Sequence, residues 1–330
     1  MTHRPPAMFA MSPEHLPLLF PAPLRERIAE LVDIDADLGV ERFDDPRAAA
    51  LLAELEVLIT GWGGPRLDAA LLAAAPRLRA VLHTAGSVKS LITPPVWARG
   101  VTVCSAAEAN AVPVAEFTVG MVLLAGKGTF ELRERYRRAR GFTVAEVAPH
   151  VGNYGRRVGV VGASRIGRQV LTQLQRYDFD LRLHDPYAEA PPVPNVPLAE
   201  LLSTSDVVSL HAPATAETRH LIDRERLALM PDGAVLINTA RGSLVDTDAL
   251  IHELSSGRLS AILDVTEPEP LPTDSPLFGL PNVFLTPHVA GSQGNELARL
   301  GASTVDELER LVTGLPLRHE VQQADLPLAA

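Results

Sequence analysis

The chain has 330 residues, 46% of them hydrophobic and 21% charged, with a formal net charge of −10. That length can bury more than one core, and the balance is that of a globular enzyme. The acidic excess argues against a nucleic-acid partner, and the single cysteine, Cys104, excludes an internal disulfide and fits a reducing compartment.

The opening residues, Met1-Thr2-His3-Arg4-Pro5-Pro6, lead into no long apolar run, and the apolar run near 119–125 is too short to span a bilayer. A cytoplasmic protein with neither signal peptide nor membrane partner is expected. Short apolar runs at 7–10, 31–34, 57–60, 79–82 and 101–103 alternate with helical patterns at 23–30, 46–54 and 66–75. Such alternation predicts a parallel sheet with helices on both faces. Two loops at predicted strand ends are candidate ligand contacts: Gly61-Trp62-Gly63-Gly64 and Thr84-Ala85-Gly86-Ser87. In open α/β sheets ligands sit outside the carboxyl ends of the strands, although ordinary turns use the same glycines. Residues 110–140 predict one long helical region. Asn110 is its cap, Pro113 lies in its first turn, and Val114, Phe117, Met121, Leu124 and Ala125 form its apolar face. The arginines of its tail, from Arg133 to Arg140, read as a solvated face.

Residues 158–167 read Val-Gly-Val-Val-Gly-Ala-Ser-Arg-Ile-Gly: an apolar strand, a tight turn and the start of a helix. This is the pattern of a dinucleotide-binding βαβ unit. Gly162 makes the turn, and Gly167 lets the helix pack close to the strand. The first helical residues, Arg165 and Ile166, offer backbone N–H groups and a positive dipole end to a phosphate. The middle glycine of G-x-G-x-x-G is Ser164, whose Cβ takes room and whose hydroxyl offers a hydrogen bond. A second strand, Leu181-Arg182-Leu183-His184, ends at Asp185, 18 residues after Gly167. An acid there accepts from the ribose 2′-OH and repels a 2′-phosphate, so NADH is expected to be preferred over NADPH.

Further strands are predicted near 207–210, 234–237, 260–263 and 283–285, and a last helix over about 295–313. The expected division is 1–112 with 292–330 as a substrate domain, and 113–291 as the cofactor domain inserted into it. Three loops should open on the same edge as Gly162: Asn238-Thr239-Ala240-Arg241-Gly242, Asp264-Val265-Thr266-Glu267-Pro268-Glu269-Pro270, and Thr286-Pro287-His288-Val289-Ala290-Gly291. A hydride added to a carbonyl leaves an alkoxide that needs a proton, which a histidine supplies near neutral pH. An acid beside the histidine fixes its ring, and an arginine binds a carboxylate in bidentate fashion. Spacing does not choose between Glu267 and Glu269, since residues two apart in an extended segment share a face. The scattered histidines show no metal-ligand spacing, and no metal is expected.

Taken together, these motifs resemble the D-isomer-specific 2-hydroxyacid dehydrogenases. Ser209-Leu210-His211-Ala212-Pro213, Glu217-Thr218-Arg219 and Asn110-Ala111-Val112-Pro113 extend the likeness. The resemblance implies an α/β architecture of two doubly wound parallel-sheet domains, a Rossmann NAD-binding domain inserted into a flavodoxin-like substrate domain, assembled as a homodimer. It implies Arg241, Glu269 and His288 as the catalytic set, choosing Glu269 over Glu267. It also implies Asp264 as the partner of the nicotinamide amide, with His211, Pro213, Thr218, Thr239, Ala240 and His288 along the cofactor. On the substrate side are Trp62, Gly86, Ser87, Asn110 and Arg241. Two departures stand out: Ser164 in the glycine-rich turn, and Gly86-Ser87-Val88-Lys89 where the family reads Gly, a bulky residue, then Asp. No C-terminal regulatory domain is expected, so the long phosphoglycerate enzymes are expected to be the poorer analogue. The expected reaction interconverts a small 2-oxo acid, such as glyoxylate or hydroxypyruvate, and its D-2-hydroxy acid. A dinucleotide-sensing corepressor and a formate- or phosphite-type dehydrogenase are the alternatives on this fold.

Overall fold

The computed structural model describes residues 4–141 and 151–328; residues 1–3, which open the N-terminal stretch read above for a signal, lie outside them. The chain divides into two compact units, Met1–Ala111 with Ser292–Ala330, and Val112–Gly291.

The first unit holds four parallel strands in sequence order: β1 (Ala7–Ala10), β2 (Val57–Thr60), β3 (Ala80–His83) and β4 (Thr102–Ser105). Both faces of this sheet are covered, which is why its strands read as continuous apolar runs rather than alternating ones. Met8, Ala10, Leu58, Val81 and Val103 point to one core, with Leu71, Leu72 and Val96. Ala7, Phe9, Val57, Ile59, Leu82 and Cys104 point to the other, with Leu297, Leu300, Val305 and Leu308 of the C-terminal helix Leu297–Val312. That helix approaches closely at Gly301, where a Cβ would lie 1.8 Å from the Leu19 carbonyl oxygen.

The strand expected at 31–34 does not form. Helix Ala22–Leu31 runs into it, and only isolated bridges remain beside β1, Pro6 with Asp33 and Phe9 with Gly39. Pro5 and Pro6 have no N–H to extend a ladder. The flavodoxin-like edge is thereby reduced to two isolated bridges.

The single helix expected over 110–140 is two, Ala107–Gly126 and Thr129–Ala139. Gly128, in the left-handed region at φ 58°, breaks them. Asn110 is not the cap: it lies inside the first helix, where its Oδ1 accepts from the Ser292 N–H at 3.0 Å. Pro113 likewise falls inside the helix rather than in its first turn. Ala107–Gly126 is long and apolar enough, at a mean hydropathy of 1.5, to cross a membrane by composition alone. Its apolarity has a partner in the fold instead, since Ala115, Val119, Val122 and Ala125 pack with Val158 and Val160.

The second unit is a six-stranded, wholly parallel sheet: β5 (Arg157–Val161), β6 (Asp180–His184), β7 (Val207–Leu210), β8 (Val235–Asn238), β9 (Ser260–Leu263) and β10 (Val283–Leu285), in the order β10-β9-β8-β7-β5-β6. From β5 the chain steps outward to β6, then returns to the other side of β5 as β7. This reversal opens a crevice at the carboxyl ends of β5 and β7, where ligands of such sheets bind. Beyond β6, among the described residues, the only further pairing is an isolated bridge between Leu183 and Asn195.

Candidate active site

Because all six strands of the second unit are parallel, the loops that follow them lie on one edge. After β5, Gly162 has φ 98°, and a Cβ on it would lie 2.5 Å from the Ala212 nitrogen. At Gly167 a Cβ would lie 2.0 Å from the Gly162 carbonyl oxygen. Backbone approach therefore demands both glycines, and the positive φ demands Gly162 by conformation as well. Ser164 is the N-cap of helix Arg165–Leu174, its Oγ accepting from the Gly167 N–H at 3.3 Å. The hydroxyl thus replaces part of what the missing glycine would leave to solvent. Arg165 is exposed and Ile166 half-buried against the core. The result is a tight turn and a helix N-terminus that fit a pyrophosphate.

Asp185, just after β6, is drawn into this turn. Its Oδ2 accepts from the Ala163 N–H at 2.6 Å and its Oδ1 from the Tyr187 N–H at 2.8 Å. The Tyr187 hydroxyl donates to Glu217, 3.1 Å away. After β7, His211 is buried, with Nε2 on the Ser209 hydroxyl at 2.8 Å and Nδ1 without a partner. Burial pushes its pKa down to about 3, so it is neutral. Thr218 closes the same loop, donating to the Pro213 carbonyl at 2.5 Å and accepting from the Thr215 N–H at 2.8 Å.

After β8, the Asn238 side chain staples the turn that carries Arg241. It accepts from the Ala240 N–H at 3.1 Å and donates to the Arg241 carbonyl at 2.9 Å. Thr239 is buried and shares a 2.8 Å hydrogen bond with Thr118. Arg241 Nη1 donates to the Ala240 carbonyl at 2.6 Å. Burial pulls its pKa below the usual value, while the charge of Glu269 opposes this. A Cβ on Gly242 would lie 2.0 Å from the Thr266 carbonyl oxygen, so the arginine loop and the acid loop touch backbone to backbone.

The two acids left open by spacing have separate partners. Glu267 accepts from Arg219 Nη1 at 2.8 Å and lies 3.3 Å from His220 Nε2. The hydrogen bond from Arg219 holds its carboxyl below the usual range. Glu269 Oε1 instead lies 2.6 Å from His288 Nδ1, and both side chains are about half exposed. His288 itself is at φ 56°, an uncommon region for a side-chain-bearing residue. Asp264 holds it there. The Asp264 backbone carbonyl accepts from the His288 N–H at 2.9 Å, and its buried carboxylate accepts from Thr286 Oγ1, Val289 N–H and Ala290 N–H at 2.6, 2.8 and 2.9 Å.

In the first unit, Trp62 is 37% exposed and stands edge-on to His15 at 5.8 Å. Its loop is pressed against β1, since a Cβ on Gly64 would lie 2.4 Å from the Ala10 carbonyl oxygen. Asn110 Nδ2 would be the nearest neighbour of a Cβ on Gly86, at 3.6 Å. Ser87 Oγ accepts weakly from the Lys89 N–H at 3.4 Å, and Lys89 is exposed.

Sequence reasoning missed Asn238 and Thr118 as supports of the arginine loop. An asparagine closing a strand before a short turn is a readable signal for the first. Thr118 lies inside a helix far from Thr239 in sequence, and nothing local marks it.

Two parallel sheets, a glycine-rich turn at the switch point and a paired histidine and glutamate on the same edge define a dinucleotide-binding α/β protein. Residues 119–290 match the NAD binding domain of the D-isomer specific 2-hydroxyacid dehydrogenases. The chain is 30% identical, over 84% of its length, to D-3-phosphoglycerate dehydrogenase of Methanocaldococcus jannaschii, covering 53% of that protein. It is 29% identical to hydroxypyruvate reductase of Thermotoga maritima, over 87% of this chain and 95% of that one. Among solved structures, a D-isomer specific 2-hydroxyacid dehydrogenase from Xanthobacter autotrophicus Py2, in complex with NADPH and MES, is 27% identical, with a TM-score of 0.74 over 97% of this chain and 98% of that one. The chain belongs to the D-isomer specific 2-hydroxyacid dehydrogenase family. It spans about half the length of the phosphoglycerate dehydrogenases it matches.

Two buried neutral histidines give the fold an acid-sensitive limb. Burial pushes His83 down to about 4 and His211 to about 3, from 6.5 in the unfolded chain. Below pH 6.5 the unfolded state takes up protons that the folded state refuses. Stability from these groups is thus present above pH 6.5 and lost as pH falls toward 4 and 3. Each is expected to contribute a loss of about 2 kcal/mol by pH 5. Thermal melts should be flat from pH 8 to 7 and fall steeply below 6.5, with a shallower fall in His211→Asn. An equal slope in that variant would exclude His211 as a source.

Proposed function

We propose that the protein is an NAD-dependent 2-hydroxyacid dehydrogenase acting on a short 2-oxo acid, such as glyoxylate or hydroxypyruvate, and its D-2-hydroxy acid. The observation that carries this reading is the 2.6 Å pairing of His288 Nδ1 with Glu269 on the edge that holds the glycine-rich turn. A bound nicotinamide supplies or takes the hydride. With Nδ1 committed to Glu269, His288 Nε2 is left to give the carbonyl oxygen its proton in reduction, and to remove it in oxidation. Glu269 fixes the ring and its tautomer. Asp264 is the residue that holds the histidine loop, with the nicotinamide amide as a further partner. Arg241 serves the substrate carboxylate.

Steady-state assays with glyoxylate, hydroxypyruvate, its phosphate ester, pyruvate and a carboxylate-free aldehyde test the reading. The short acids are expected to oxidise NADH, and the aldehyde to react at least roughly tenfold less well. Silence on every acid would overturn it. The phosphate ester belongs in the panel because the phosphoglycerate dehydrogenases are among the relatives.

Cofactor choice is a separate expectation. Asp185 and Glu217, joined through Tyr187, put two carboxylates near the expected ribose, and neither Pro186 nor Tyr187 offers a cation to a 2′-phosphate. NADH should bind more than roughly tenfold tighter than NADPH, about 1.4 kcal/mol. The NADPH-bound relative makes direct titration of both cofactors the deciding measurement. Equal affinities would remove the ribose role of Asp185.

A further inference from the structure

In the second unit, β5 lies between β6 and β7 in the sheet. The loops that follow β6 and β7 therefore stand on either side of the glycine-rich turn after β5, two strand spacings or about 10 Å apart. One hydrogen bond crosses that gap. Tyr187, just beyond Asp185, donates its hydroxyl to Glu217 in the loop after β7, with the two carboxylate oxygens at 3.1 and 3.2 Å. The bond to Glu217 pushes the phenol's pKa above its usual value, so the hydroxyl stays a donor.

Both feet of this clasp are fixed by backbone bonds. Asp185 Oδ1 accepts from the Tyr187 N–H at 2.8 Å, and the Asn195 side chain accepts from the Asp185 N–H at 3.0 Å and donates to the Asp185 carbonyl at 2.7 Å. Beside Glu217, Thr218 donates to the Pro213 carbonyl at 2.5 Å and accepts from the Thr215 N–H at 2.8 Å. The clasp itself stands in water, with Tyr187 74% exposed and Glu217 exposed as well. A bond so exposed adds little to stability. What it settles is which groups face the crevice. The tyrosine hydroxyl, otherwise a donor for an added phosphate, is committed to Glu217, and Glu217 is held in place as an anion. Arg219, two residues further on, is committed to Glu267 at 2.8 Å.

We propose that Glu217, held by Tyr187, is a specificity-determining residue: from the loop opposite Asp185 it completes a negatively charged rim that rejects a dinucleotide carrying a 2′-phosphate. This rests on the cofactor choice proposed above, in which Asp185 receives the ribose 2′-OH. Asp185 repels a 2′-phosphate from one side only, and the phosphate can turn away from it. The clasp sets a second carboxylate on the other side. The ribose of NADH carries no charge there and needs neither Tyr187 nor Glu217.

Direct titration of NADH and NADPH, with no substrate present, tests this. Glu217→Gln keeps the shape of the side chain and removes its charge. It should tighten NADPH binding roughly tenfold and leave NADH within about twofold. That gain should shrink as salt rises toward about 0.5 M, because exposed charges are screened. Tyr187→Phe keeps the ring and releases Glu217. It should tighten NADPH roughly threefold, and add nothing when made in Glu217→Gln. Unchanged NADPH affinity in Glu217→Gln overturns the proposal and leaves Asp185 its role. A parallel loss of NADH and NADPH affinity in both variants also overturns it, because it marks a merely structural clasp. An additive gain in the double variant overturns the hold by Tyr187. Equal affinities in the wild-type protein overturn the ribose role of Asp185 and the clasp together. If the wild type prefers NADH but reduces no 2-oxo acid, the proposed substrate fails, and the titrations still decide the clasp: tighter NADPH in Glu217→Gln supports it and unchanged NADPH overturns it.

Discussion

His288→Ala is expected to lower turnover of a 2-oxo acid by roughly two to four orders of magnitude while leaving NADH binding intact. The separation follows from where the residue stands. His288 lies in the loop after β10, and its side chain meets Glu269 rather than any residue of the glycine-rich turn. The turn is built by Gly162, Ser164, Gly167 and Asp185 with bonds of their own. Removing the imidazole takes away the proton donor without disturbing that cradle. Glu269→Gln keeps a partner at Nδ1 and removes its charge. It is expected to cost turnover roughly ten- to a hundredfold, less than the loss of the histidine itself. Glu267→Gln is the control. Its carboxylate is engaged by Arg219 and His220, at the mouth of a surface hollow of Pro268, Leu271 and Asp274, and it should leave turnover within a few-fold. Turnover and NADH titration on the three variants decide the matter. Equal damage from Glu267→Gln and Glu269→Gln would show that the acid loop acts as a unit and that the pairing with His288 is not what counts.

The contrast between these acids shows what the sequence could carry. In an extended loop, residues two apart point the same way, so Glu267 and Glu269 were equivalent by spacing, and only family likeness separated them. What separates them physically is distant in sequence: Arg219 and His220 claim one, His288 the other. The strands of the second unit were legible because buried parallel strands are short, apolar and bounded by glycine or acid, as in Val207–Leu210 and Ser260–Leu263. The expected strand at 31–34 failed because a short apolar run was weighed without Pro5 and Pro6, the residues it would have to pair with. The expected long helix failed at Gly126 and Gly128, a local signal that was present and overridden by the apolar periodicity around it. The left-handed His288 and its hold by Asp264 had no local signal, since three of its bonds join loops more than twenty residues apart.

Arg241→Ala is expected to lower kcat/KM for glyoxylate by roughly thirty- to several-thousandfold, about 2–5 kcal/mol. Arg241 is half-buried, and this partial loss of water pulls its pKa below the usual value. A charge so placed gains most from a carboxylate that fills the space the water left. One nitrogen, Nη1, is tied to the Ala240 carbonyl, and Asn238 holds the backbone beneath it, so the fork is oriented before substrate arrives. Arg241→Lys restores the charge without the paired donors, and it should recover only a small part of the loss. The diagnostic comparison is with the carboxylate-free aldehyde. Against that compound Arg241→Ala should lose little, so that the preference for acid over aldehyde collapses in the variant while NADH affinity stays near wild type. A variant that loses acid and aldehyde in equal measure would place Arg241 with the reacting oxygen rather than the carboxylate. Full recovery in Arg241→Lys would mean that a point charge suffices and that the bidentate geometry plays no part.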